Sequence, residues 1–166
     1  MKKAVMTIAV AVMTMVTTSF GEIIKSRYAD EFGDPTGNKY IAVAGYGKDS
    51  TLSHSGAFFI HEDGSCKYRY MGYLTTVTGR KNIKLRNKKG ETLDLYVNTV
   101  DLGNNKQSYN FRDKSQEVIE FLKKSVWVKV VVWDYTSDAK LVKIDLNGVT
   151  RAINSYFPKL QSNSKL

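Results

Sequence analysis

Two runs of strict alternation, set on either side of a glycine, limit what this chain can fold into more than any other feature. Ile83 and Leu85 alternate with Asn82, Lys84 and Arg86, while Leu93, Leu95 and Val97 alternate with Asp94 and Tyr96. A period of two sends successive side chains to opposite faces of a strand, so each run has one apolar and one polar face. Placing the apolar faces together with Leu85 opposite Leu93 leaves Asn87 and Glu91 as the closing pair and Lys88-Lys89-Gly90 as the loop. Gly90 then takes the left-handed bulge position that such a loop requires. The same register sets Lys84 opposite Asp94, whereas a slip of one residue would bury the charges.

Similar reasoning covers much of the chain. Tyr40 to Ala44, Ala57 to Ile60 and Cys66 to Leu74 read as strands, with Glu62-Asp63-Gly64-Ser65 as a tight turn that makes 57–74 a hairpin. Val126, Val128, Val130 and Val132 form one apolar face, matched by Val142, Ile144 and Leu146. Pairing Val130 with Ile144 sets Lys129 opposite Asp145 and Asp134 opposite Lys140, with Thr136-Ser137-Asp138 as the loop. Asp113-Lys114-Ser115-Gln116 has the form of a capping box ahead of Val118, Ile119 and Leu122, with Phe121 at the margin. After Asn147-Gly148, the residues Val149, Ala152, Ile153, Tyr156 and Phe157 recur at helical spacing until Pro158. The expected fold is therefore mainly β with two helices (α+β), an antiparallel sandwich or partly open barrel built from hairpins. Cys66 is the sole cysteine, so no intramolecular disulfide can form, and it reads as a small buried strand residue.

The N-terminus reads as an address rather than as structure. Met1-Lys2-Lys3 is a basic start, Ala4 to Val16 is an uncharged apolar run shorter than the roughly twenty residues that span a bilayer, and Ser19 and Gly21 are small residues placed for cleavage before Glu22. Residues 1–21 are expected to be a signal peptide, and 22–166 a single β-rich domain whose polar tail from Gln161 to Leu166 frays. The expected location is exported, in the periplasm or outside the cell, with no transmembrane segment in the mature chain.

The chain carries a formal net charge of +9, and loss of Lys2 and Lys3 leaves +7. An excess of that size points to an anionic partner, and export points away from nucleic acid toward phospholipid head groups, cell-envelope polymers or an acidic protein. The residues Lys84, Arg86, Lys88 and Lys89 cluster four basic side chains around one hairpin. Tyr68, Arg69 and Tyr70 form the second candidate, because interleaved aromatic and basic side chains can stack on and pair with an anionic ligand. Strand alternation supplies a plainer alternative, with Tyr68 and Tyr70 on one face and Lys67 and Arg69 on the other. Trp127, Val131 and Trp133 share a face with Lys129 and are expected to pack beneath a helix or second sheet, or, if exposed, to mark a partner site.

Nothing in the residues calls for a cofactor or metal. Asp30, Glu31 and Asp34 lack the alternate oxygen ligands and distant Glu of a calcium loop, and Asp34-Pro35-Thr36-Gly37 suits a type I turn. His54 and His61 have no partners at ligand spacing, and no nucleophile motif or phosphate-cradling glycine loop is present. These absences favour a non-enzymatic binder of an anionic surface or protein partner. The alternatives are an envelope-directed hydrolase drawing on Asp30, Glu31 and Asp34, or an inhibitor or immunity-like protein acting through a β edge.

The stretch Asp30, Phe32, Gly33, Asp34, Thr36, Gly37, Lys39 and Tyr40 also resembles an Asp-x-Phe-Gly-Asp-x-Thr-Gly-x-Lys-Tyr motif found near the mature start of a group of exported bacterial proteins without an assigned activity. The similarity continues through Phe111, Ile119, Leu122, Lys123 and Lys124, a following hairpin and a terminal aromatic helix. It implies export and a similar order of elements. Many members of that group resemble lipoproteins, whose processing-site cysteine is absent here.

Overall fold

The computed structural model describes residues 22–29, 35–47, 55–72, 74, 79–103, 106–133 and 136–160. The expected signal peptide, Asp30, Glu31, Asp34, His54, Asp134 and the tail beyond 160 lie outside the described residues.

The described chain forms strands β1 (Glu22–Ala29), β2 (Pro35–Gly47), β3 (Ser55–His61), β4 (Cys66–Tyr70), β5 (Gly79–Asn87), β6 (Thr92–Asp101), β7 (Gln107–Asn110), β8 (Trp127–Trp133) and β9 (Ala139–Asp145), with helices α1 (Ser115–Lys123) and α2 (Val149–Tyr156). All neighbouring strands are antiparallel, in the order β1-β2-β3-β4-β7-β6-β5-β8-β9. The sheet closes into an eight-stranded barrel where Tyr46 and Gly47 of β2 pair with Lys143 and Val142 of β9. β1 is the ninth, extra strand, paired with Pro35 to Ala44 along the rest of that β2 edge. Closure depends on Gly45, where a Cβ would run into the Lys143 carbonyl and the Ile144 side chain. Helix α2 packs against β1 and β2, where Lys25 Nζ donates to Ser155 Oγ at 3.0 Å and the Tyr156 hydroxyl donates to the Ser26 carbonyl at 3.3 Å.

Alternation fills the barrel. Ile41, Val43, Phe58, Ile60, Tyr68, Ile83, Leu85, Leu95, Val97, Val128, Val130, Val142 and Ile144 point inward and are buried. One end carries the tight connections 62–65 and 88–91 and is plugged by Val118, Ile119 and Leu122 of α1, with Phe111 and Phe157 joining the same core. Among the described residues no helix is long and apolar enough to cross a membrane.

The β5–β6 hairpin has the expected register, with Leu85 opposite Leu93 and Lys84 opposite Asp94, and Lys84 Nζ lies 2.9 Å from Asp94 Oδ2. Asn87 closes the loop: its backbone N–H donates to the Glu91 carbonyl at 3.0 Å, and its Oδ1 accepts from the N–H groups of Lys89 and Glu91, each at 3.0 Å. Gly90 has φ +87°, the conformation its place in the loop demands. The β3–β4 hairpin also forms, with Ile60 opposite Cys66, and Cys66 is buried.

Five local expectations are corrected. In the β8–β9 hairpin Val130 faces Val142 and Lys129 faces Lys143, two residues away from the register that paired Val130 with Ile144 and Lys129 with Asp145. A two-residue shift keeps every side chain on its face, so the apolar pattern does not resist it. The register is instead fixed by the outer neighbours: β5 holds Val130 opposite Leu85, and the closing contact holds Lys143 opposite Tyr46. Opposite-charge pairs worth a few tenths of a kcal/mol cannot compete with barrel closure. Val126 lies outside the strand and is exposed. The strand expected from Cys66 to Leu74 ends at Tyr70. No capping box forms, because Lys114 occupies the cap of α1 and Ser115 Oγ instead accepts the buried Cys66 N–H at 3.0 Å. Finally, Pro35, Thr36 and Gly37 belong to β2 rather than to a turn, with Pro35 opposite Ala29 at the strand's first position, where a missing N–H is tolerated.

Candidate functional site

The registers of β5, β8 and β9 assemble a basic row that no single segment contains. Across the outer face the sequence of opposite neighbours runs Thr92, Arg86, Lys129, Lys143 and Tyr46, from β6 through β5, β8 and β9 to β2. Three cations thus stand opposite one another on adjacent strands, with no carboxylate among these cross-strand neighbours. Like charges directly opposite one another are destabilising in a sheet. Trp127, on the same face of β8, offsets part of that cost: the Lys129 and Lys143 ammonium groups lie over its ring at 5.8 and 4.9 Å from the centroid. Asp145, opposite Trp127, spends one carboxylate oxygen on the Asn147 N–H at 2.8 Å.

The hairpin candidates extend this row. Lys88 and Lys89 are exposed in the loop that follows Arg86 and Asn87, at the same end of the barrel as Trp127. Lys84 belongs to the adjacent row, Asp94, Lys84, Val131 and Leu141, where its ion pair with Asp94 is half in solvent and worth about 0–1 kcal/mol. Trp127, Val131 and Trp133 are half-buried by their sheet neighbours. The helices pack mainly against β4, β1 and β2, and among the described residues no helix or second sheet covers the tryptophans. Leu141 and Tyr96 are exposed on the same side, and Arg80 stacks on Tyr96 at 4.7 Å while donating to its carbonyl at 3.0 Å.

The second candidate separates into two. Tyr68 and Tyr70 are fully buried inside the barrel and belong to no surface, and burial raises the Tyr68 phenol well above its ordinary range. Lys67 and Arg69 point outward, where the Arg69 guanidinium carbon lies over the Phe59 ring, 4.5 Å from its centroid. One residue that the sequence did not single out, Tyr28, gathers His61 and Tyr40 beside them. Tyr28 of β1 stacks on His61 at 5.6 Å and meets Tyr40 at a tilt at 4.8 Å, and Lys67 Nζ sits 3.4 Å from the Tyr28 hydroxyl.

Next to this stack is a hollow of about 270 Å³ lined by Tyr28, Asn38, Lys39, His61, Glu62 and Asp63. A hydrolytic acid here would need a carboxyl pushed up, but Asp63 is pushed down, chiefly by accepting the Ser65 N–H at 2.8 Å. Glu62 instead lies 3.9 Å from Lys39 Nζ. Among the described residues no three of His, Cys, Asp and Glu are grouped so as to hold a metal ion. No family model, curated protein or solved structure matches this chain.

Proposed function

We propose that this chain is an exported, non-enzymatic β-barrel protein that binds an anionic component of the cell envelope through the outer face of β5, β8 and β9. The observation that carries this reading is the row Arg86, Lys129 and Lys143, three cations set side by side by strand register. A fold that tolerates such repulsion gains most from a partner that supplies negative charge along the row. Lys88 and Lys89 lengthen the row at one end, and Trp127 supplies the flat amphipathic ring that suits a head-group boundary. Membership in the exported group that the Asp30-to-Tyr40 motif resembles belongs to the same proposal.

The test is binding of the exported protein to vesicles with and without anionic lipid, across a range of salt. The reading requires binding to anionic vesicles alone, weakening as salt screens the row. A second reading, a protein partner, is favoured by the exposure of Leu141 beside half-buried Trp133 and Val131. It requires binding that is indifferent to vesicle charge.

A further inference from the structure

The barrel carries a second cationic cluster on β3 and β4. In the strand order β2-β3-β4-β7-β6-β5-β8-β9, β4 and β8 are four strands apart in either direction, so this cluster lies across the barrel from Lys129. Its members are Lys67 and Arg69 on β4 and His61 at the end of β3.

The register gives these cations only neutral neighbours. Lys67 stands between Phe59 and Asn110, and Arg69 between Ala57 and Ser108. The Arg69 guanidinium lies over Phe59, Tyr28 holds both the Lys67 ammonium, 5.8 Å from its ring centroid, and the His61 imidazole, and the Arg69 Nε is buried with no hydrogen-bond partner. A buried donor on a permanent cation, left without an acceptor in the chain, leaves that cation poorly compensated. We propose that Arg69, Lys67 and His61, seated on Phe59 and Tyr28, form a discrete binding site for a phosphate group.

The charge count favours phosphate over a carboxylate. A guanidinium, an ammonium and an imidazole call for more than one negative charge, and a phosphate monoester carries between one and a half and two near neutral pH, about what this cluster needs. The Arg fork matches the oxygens of a tetrahedral anion, while Lys67 and the Tyr28 hydroxyl supply further donors. His61 reports the mutual repulsion: burial first, then the Lys67 charge, holds its pKa below the ordinary value, and Arg69 pushes the same way. Asp63 opposes them but is committed to the Ser65 N–H, and the remaining groups around the imidazole are Tyr28 from β1, Lys39 and Tyr40 from β2, and Glu62 from the turn. Lys67 is likewise held low, by burial and then by Arg69.

His61 and His54 are the only imidazoles, so proton NMR can follow His61 directly once His54→Gln has assigned the signals. Inorganic phosphate, added against chloride at matched ionic strength, should raise the His61 midpoint by roughly half a pH unit or more, in a saturable way. The double variant Lys67→Gln/Arg69→Gln should lose that response while keeping the parental near-ultraviolet circular dichroism, and Arg151→Gln on α2 should retain it. Repeating the titration with a soluble sugar phosphate and with phosphatidic acid vesicles separates a free or polymer-borne phosphate from a lipid head group. A His61 response equal in phosphate and chloride, or equal in the parent and the Lys67→Gln variant joined to Arg69→Gln, would overturn the proposal. Because Lys129 and its neighbours take no part, that outcome leaves the vesicle-binding reading standing or falling by itself.

Discussion

Lys129 and Lys143 face each other directly on adjacent strands, and both reach the Trp127 ring, at 5.8 and 4.9 Å. Arg86 stands on the other side of Lys129. Replacing Lys129 with Glu turns two repulsive cross-strand pairs into attractive ones, so Lys129→Glu should stabilise the fold by roughly 0.5 kcal/mol. The same change removes the centre of the basic row and should weaken retention on anionic vesicles. A rise in the denaturant midpoint together with a loss of retention is the expected pair of results, checked by urea melts and vesicle sedimentation. A fall in stability would mean that the row is not under electrostatic strain.

Gly90→Val should destabilise the fold by roughly 1 kcal/mol or more, because a β-branched residue is poorly tolerated at positive φ. Gly90 has φ +87° and closes the loop by donating its N–H to the Asn87 carbonyl at 3.1 Å. Urea melts of the two proteins measure the difference directly.

Gly45→Val should cost more, about 2 kcal/mol or above, since the new side chain would overlap the Lys143 carbonyl and Ile144 where the barrel closes. Amide exchange locates the damage. Loss of protection should begin at Tyr46, Gly47 and the paired residues Val142 and Lys143 of β9, and leave the β5–β6 hairpin for last.

The β5–β6 hairpin was legible because everything that sets it is local: two alternating runs, and a loop whose glycine takes the one conformation that joins them. The β8–β9 register was not legible, because residues distant in sequence, Leu85 and Tyr46, decide it. β1 escaped notice because most of its residues are exposed and no apolar face announces it, and β7 because it is four mostly polar residues, Gln107 to Asn110. The candidate site divides the same way. Arg86, Lys88 and Lys89 could be read as one basic hairpin, but their joining to Lys129 and Lys143 is a product of barrel closure. Parity separated Tyr68 and Tyr70 from Arg69, but which face the barrel encloses was not legible, so the two tyrosines read as candidate ligands when they are core. The stacking of Tyr28 on His61 needed the pairing of β1 with β2, which no motif marks.

His61 should make stability depend on pH in a defined direction. Its folded pKa lies below the ordinary 6.5, through burial first and the Lys67 charge second. Below about pH 6.5 the unfolded chain therefore takes up a proton that the folded chain resists, and stability falls until the folded imidazole is protonated as well. In phosphate-free buffer the parent should lose more stability between about pH 7.5 and about pH 5.5 than His61→Gln does. Equal losses would place the imidazole in an environment without the burial and charge described.

The most direct test of the basic row is vesicle sedimentation of the parent beside Arg86→Gln/Lys129→Gln/Lys143→Gln at low salt. Each cation near an anionic surface contributes about 1 kcal/mol, so the triple variant should bind roughly a hundredfold more weakly. Its circular dichroism should match the parent's, because all three side chains leave the core untouched. Undiminished binding of a folded triple variant to anionic vesicles would contradict the assignment of this face.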